Sequence, residues 1–153
     1  MPTVTIDRRG LHVGGERRWL VSGLIDPTSV PSEQWEARLD AAAAAGLNGV
    51  LVPAVWSAHE PRQGVFDFEG DRDLARFVRL AGERGLMVVL RPGPFVGDGR
   101  DRGGIPAWVD AGESDDGRAR PLRSSAPAFL GACSAWFRRL TQELKGLQAT
   151  DGG

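Results

Sequence analysis

Eight side chains able to move a proton or hold a charge follow three apolar runs of the chain: Asp26, then His59, Glu60 and Asp67, then Arg91, Asp98, Arg100 and Asp101. Two carboxyl groups drawn from such a set and held on either side of a bond can act as general acid and base. Acidic loop residues are common, so the pattern alone selects no pair. His59-Glu60-Pro61 stands just after Trp56 and admits two readings. An imidazole and a carboxylate could line a pocket there. Alternatively, Glu60 takes backbone N–H groups and Arg62 while Pro61 stiffens a turn. His12 lies far along the chain from His59, and two histidines do not make a metal site. The glycines of "RPGPFVGDGRDRGG" come without a Walker lysine or dinucleotide spacing, which argues against a phosphate cradle. No serine has a nucleophile-elbow context, and Cys133 lies on an apolar helix face, as a buried structural thiol does.

Positioning these residues is the work of alternating strands and helices. "TVTIDRRGLHVGGERRWLVSGL" alternates apolar and polar residues around turns at Arg9-Gly10 and Gly14-Gly15, and predicts an antiparallel hairpin leading into a buried strand, Trp19 to Leu24. Ser32 is the expected cap of a helix with Trp35, Leu39, Ala42 and Ala43 on one face, ended by Gly46. "GVLVPAVW" then lacks polar alternation, as in a strand covered on both faces. A second helix carries Leu74, Phe77, Val78 and Ala81 at i, i+3, i+4, i+7 and closes at Gly85. "LMVVLRP" reads as another doubly buried strand, and Ser125 and Pro127 open a third helix with the stripe Phe129, Cys133, Trp136, Phe137, Leu140, Leu144 and Leu147. This is an α/β fold with parallel strands, in which ligands bind at the strands' carboxyl ends. Three loops qualify: Ile25 to Pro31, Trp56 to Gly70, and Pro92 to Ser125. The stretch 110–125 is the candidate mobile loop.

Composition sets bounds on function. The chain has 153 residues, 41% hydrophobic and 25% charged, enough for one domain with a core. A net charge of −1 gives no electrostatic reason to bind nucleic acid or anionic lipid. One cysteine leaves no internal disulfide. The start "MPTVTIDRRG" lacks a signal-peptide core and no run reaches membrane-spanning length, so the expectation is a cytoplasmic protein outside the membrane. The absence of tyrosine removes any site that needs a phenol.

From Leu11 to Gly153 the sequence resembles glycoside hydrolase family 35, the β-galactosidases. The resemblance rests on "NGVLVPAVWSAHEPRQGVFDFEGDRDLARFVRLAGERGLMVVLRPGPF", "GGIPAW" and "LRSSAPAF". The family pattern runs Asn-Thr-Val-Glu-Thr-Tyr-Val-x-Trp-Asn-x-His-Glu-Pro, then Gly-x-Phe-x-Phe, Leu-Arg-Pro-Gly-Pro-Tyr-Ile-Cys-Ala-Glu-Trp and Gly-Gly-Leu-Pro-x-Trp. Length alone favours an open sheet, since a closed eight-stranded barrel takes about 250 residues. The resemblance implies instead a partial TIM (β/α)8 barrel: one domain over 1–153, with a hairpin over 1–18 and the first three βα units over 19–153.

The same resemblance implies a site whose contacts are largely gone. The family's sugar-binding tyrosine falls at Pro53, and its Ile-Cys-Ala-Glu segment at Val96, Gly97, Asp98 and Gly99. The His, Tyr and Arg of its first-strand loop fall within Asp26 to Ser29, and a Glu and an Asn become Leu51 and Ser57. Each lost partner of a buried hydroxyl costs about 1–3 kcal/mol of discrimination. The glutamates of the family's fourth and seventh strands have no counterpart here, so no catalytic residue is assigned. Trp56, Val96, Gly97, Asp98 and Gly99 form the expected degenerate sugar wall. The implied function is a β-galactosidase-like hydrolase fragment or degenerate paralogue, inactive alone, without cofactor or metal. The alternatives are a non-catalytic carbohydrate-binding or protein-interaction module, using Trp56, Phe95 and Trp108 as a platform, or half of a split glycosidase completed by a partner chain. A β-galactoside or other glycan is the expected ligand. Self-association or a partner chain is expected to cover the open barrel edges.

Overall fold

A computed structural model of the chain describes residues 3–97, 99–110 and 122–149. Strands β1 (Val4–Asp7), β2 (Gly10–Val13) and β3 (Glu16–Arg18) form an antiparallel sheet in that order, with Val4 opposite Val13 and Val13 opposite Glu16. The predicted hairpin is thus a three-stranded meander. Asp7 Oδ1 accepts from Arg9 N and Gly10 N at its first turn. Gly14 and Gly15, at φ 61° and 82°, make the second.

The second sheet is parallel, ordered β4 (Ser22–Leu24), β5 (Gly49–Pro53), β6 (Met87–Arg91). Helix α1 (Trp35–Ala44) joins the first pair. The short α2 (Trp56–His59) and α3 (Leu74–Glu83) join the second, and α4 (Pro127–Glu143) follows β6. Gly46 and Gly85 end α1 and α3 in the left-handed region, Asp73 caps α3 by accepting from Arg76 N at 2.8 Å, and proline opens α4. Three expectations are corrected. Ser32 does not cap α1: a 3-10 turn, Ser32–Gln34, precedes it, and Ser32 N donates to Asp71 Oδ1. The strand expected over Trp19 to Leu24 shortens to β4, with Trp19 78% and Leu24 58% exposed, because among the described residues no further strand flanks it. β6 is only partly buried, with Val89 38% exposed, for the same reason.

The core lies between the parallel sheet and its helices. Trp35, Leu39, Val50, Val52, Trp56, Phe77 and Trp136 are fully buried. Trp35 meets Phe77 edge to face at 5.3 Å, locking α1 to α3, and donates Nε1–H to Val30 O. Strand parity sends Val50 and Val52 with Val88 and Leu90 toward the helices. Residues of the opposite parity line up across the sheet as Leu24–Leu51–Val89 and, one layer on, Pro53–Arg91. That second face carries the candidate site.

Candidate functional site

At the carboxyl ends of the strands lies a cleft of about 470 Å³, lined by Leu24, Asp26, Ser29, Pro53, Arg91, Val96, Gly97, Gly99 and Arg100. Asp26 starts the turn after β4, and its Oδ1 accepts from Thr28 N at 3.0 Å and Thr28 Oγ1 at 2.7 Å. Its Oδ2 receives Arg100 Nε at 3.0 Å and Nη2, and Arg100 also donates to Thr28 Oγ1 at 2.9 Å and to Ser29 Oγ. With side-chain exposures of 14% and 30%, this pair clamps the loop after β4 to the loop after β6. Arg91, from the end of β6, donates Nη1–H to Val96 O at 2.6 Å.

The loop after β6 is held by its own backbone. Val96 N donates to Gly103 O at 2.8 Å, and Gly103 N to Arg100 O at 2.9 Å. Gly103 has φ 66°, and a Cβ there would lie 2.0 Å from Phe95 Cδ2, so only glycine fits.

Of the expected sugar wall, Val96, Gly97 and Gly99 line the cleft. Asp98 lies outside the described residues, as do 111–121 of the stretch singled out as a candidate mobile loop. Trp56 does not line the cleft and is a correction. It is fully buried, its indole Nε1–H donates to Glu60 Oε2 at 2.6 Å, and it stacks on Trp136 at 5.9 Å and meets Trp108 edge on at 5.6 Å. A Trp56–Phe95–Trp108 platform is excluded on the same ground, because one of its three rings is core.

The His59-Glu60 turn resolves toward structure. Glu60 is 3% exposed, and its Oε1 accepts from Gly64 N at 2.8 Å. The expected backbone contact is present, and the second partner is an indole rather than Arg62. Trp108 Nε1 donates to Glu60 O at 3.0 Å. His59 is fully buried, stacked on Phe68 at 4.6 Å, with Nδ1 3.0 Å from Asp67 O. A carbonyl only accepts, so Nδ1 carries the proton and Nε2 presents a lone pair, which has no partner. Burial pushes the His59 pKa below its ordinary value, outweighing the backbone bond to Asp67. Asp67 is committed to Glu69 N and Arg72. Asp101 begins the 3-10 turn Asp101–Gly104 outside the cleft.

Among the described lining residues the cleft therefore holds one carboxylate, Asp26, and that is already paired. Among the described residues no three His, Cys, Asp or Glu gather as metal ligands, and no helix is long and apolar enough to cross a membrane. The Asp26–Arg100 clamp spans 74 positions and was not foreseen: each residue was legible as a charged loop residue, but nothing local pairs them.

A sequence model described as Glycosyl hydrolases family 35 matches residues 10–153. The chain belongs to this family. It is 41% identical over 133 residues to a Beta-galactosidase of Mus musculus, covering 87% of this chain and 20% of that protein. It is 40% identical over 154 residues to the Beta-galactosidase of Canis lupus familiaris, covering 99% of this chain and 22% of that protein. The chain thus spans about a fifth of the length of these relatives. In three dimensions it is similar to the exo-beta-1,4-mannosidase Op5Man5 from Opitutaceae bacterium strain TAV5, at TM-score 0.63 and 28% identity over 88% of this chain and 24% of that one. A beta-galactosidase from the psychrophilic Marinomonas ef1 matches at TM-score 0.57 and 17% identity, covering 80% of this chain and 19% of that one, a likeness of fold alone. These neighbours are TIM-barrel glycosidases, and the family 35 chain shares their mixed α/β build.

Proposed function

We propose that these 153 residues are the glycan-facing first part of a β-galactosidase-like barrel, three βα units preceded by the meander, and that taken alone they do not hydrolyse glycosides. The parallel order β4-β5-β6 and the likeness to family 35 relatives support the layout. The observation that carries the inactivity is the cleft itself. Hydrolysis with retention needs two carboxyl groups about 5–5.5 Å apart, and inversion needs a pair about 6.5–9.5 Å apart. Among the described residues that line it, the cleft offers Asp26 alone, neutralised by Arg100. The glutamates that the family resemblance assigns to later strands have no position in the 153 residues. Incubation of the purified chain with an aryl β-galactoside is expected to release no phenol above the blank. Saturable turnover that persists through repurification refutes the reading.

A second reading, a barrel completed by another chain, is supported by a different observation. Among the described residues the outer edges of β4 and β6 are unpaired, Leu24 and Val89 of the row Leu24–Leu51–Val89 are exposed, and an apolar groove of about 570 Å³ runs between Leu90 and the Phe137, Leu140 and Leu144 side chains of the α4 region. Open sheet edges and apolar grooves invite a further strand.

A further inference from the structure

We infer that the strand-end cleft selects a sugar bearing a carboxylate, a uronic acid, with Arg91 as the group that receives the carboxylate. The inference rests on the glycan reading of the same cleft and adds the ligand's charge. Arg91 is partly buried at the end of β6, opposite Pro53, on the sheet face turned away from the helices. A guanidinium has five N–H donors, and here Nη1 meets Val96 O while no other acceptor among the described residues is engaged. No carboxylate of the described residues lies within ion-pair distance of it. Arg18, Arg72, Arg84, Arg100, Arg102 and Arg139 each do meet one. The remaining nitrogens of Arg91 are not sealed in either, because among the described residues the one buried side-chain polar atom left without a partner is His59 Nε2.

The surroundings keep that fork uncovered and leave its charge unmatched. A Cβ placed on Gly97 would come within 3.7 Å of Arg91 Nη1, and one on Gly99 would meet nothing within 4 Å. Gly97 therefore leaves open space beside the guanidinium, and Gly99 borders open space on the same loop. Asp26 cancels Arg100, so the described lining residues present one unmatched positive charge. One such charge suits a monoanionic carboxylate, which a planar guanidinium engages through two parallel hydrogen bonds. A phosphate monoester, at about −1.5 to −2, exceeds it. Leu24, Pro53 and Val96 supply apolar wall for the C–H face of a pyranose, and Ser29 is a hydroxyl partner. The volume of about 470 Å³ falls in the range of small-ligand clefts, about 300–1,000 Å³.

The test is calorimetric titration of the whole chain with methyl galacturonoside, methyl galactoside and acetate at low salt. A charge-assisted fork predicts that the galacturonoside binds about tenfold to a hundredfold more tightly than the galactoside. That preference shrinks as salt is raised. In Arg91→Gln the preference falls to about threefold or less. Arg91→Lys keeps the charge and a donor toward Val96 O, and it reports an intermediate preference should the glutamine variant fail to fold. Equal binding of the two glycosides overturns the carboxylate inference and leaves the glycan cleft standing. Acetate binding as tightly as the galacturonoside overturns it too, since the sugar then contributes nothing. Binding of neither glycoside overturns both readings.

Discussion

Replacing Glu60 separates a structural carboxyl from a functional one, and the structure sets the size of the effect. The Glu60 side chain is a double acceptor in the core, from the Trp56 indole at 2.6 Å and from Gly64 N at 2.8 Å. Trp56 is sealed from solvent, so in Glu60→Ala its Nε1–H has no water to turn to and incurs about 1–3 kcal/mol. Gly64 is exposed, its N–H can be hydrated, and the loss there is about 0.5–1.5 kcal/mol. The expected destabilisation of Glu60→Ala is the sum, about 1.5–4.5 kcal/mol. Glu60→Gln keeps one acceptor; with the amide oxygen toward the indole, the amide nitrogen faces the hydrated Gly64 N–H, and the cost is about 0.5–1.5 kcal/mol. Urea unfolding followed by tryptophan fluorescence reads both. With a slope of about 2 kcal/mol per molar, the alanine variant's midpoint falls by about 1–2 M and the glutamine variant's by under 1 M. An alanine variant within about 0.5 kcal/mol of the parent refutes the structural role, and a stabilised one marks a carboxyl kept for ligand at the expense of the fold.

Two further outcomes follow from the same coordinates. His59 is buried neutral, with a folded pKa below that of the unfolded chain, so the unfolded state binds the extra proton. Its contribution is complete above the unfolded value of about 6.5 and is lost as pH falls toward the folded value, at a slope of up to about 1.4 kcal/mol per pH unit. Urea midpoints between pH 8 and pH 5 should fall more steeply for the parent than for His59→Phe, and superimposable slopes contradict the assignment. The exposed Leu24 and Val89 of the row Leu24–Leu51–Val89 predict that the chain sediments as a dimer or larger species at micromolar concentration and that Val89→Lys shifts it toward monomer. A compact, cooperatively folding monomer of the parent chain shows that the open sheet needs no partner.

Local pattern alone was sufficient for most elements. The i, i+3, i+4, i+7 stripe of Leu74, Phe77, Val78 and Ala81 is α3, and the apolar run after Asn48 is β5, because periodicity and unbroken hydrophobicity report how each segment is covered. Gly46 and Gly85 ended helices as read, since a left-handed residue is a local requirement. The family too was legible, carried by motifs spread over nearly the whole chain.

What lies next to what belonged to the tertiary structure. Trp56 reads the same whether it faces a sugar or a core, and only Trp136, arriving from α4 some 80 positions later, stacks on it and makes it core. Trp19 and Leu24 look like buried strand because hydrophobicity says that a side chain seeks cover, not that a neighbour supplies it; at an edge strand none does. Asp26 and Arg100 meet because β4, β5 and β6 pair in register and bring two loops to one end of the sheet. That pairing shapes the chemistry of the cleft: among the described lining residues it neutralises the one carboxylate and leaves Arg91 unmatched. Electrostatic partnership depends on distance through space, and the chain's order does not contain it.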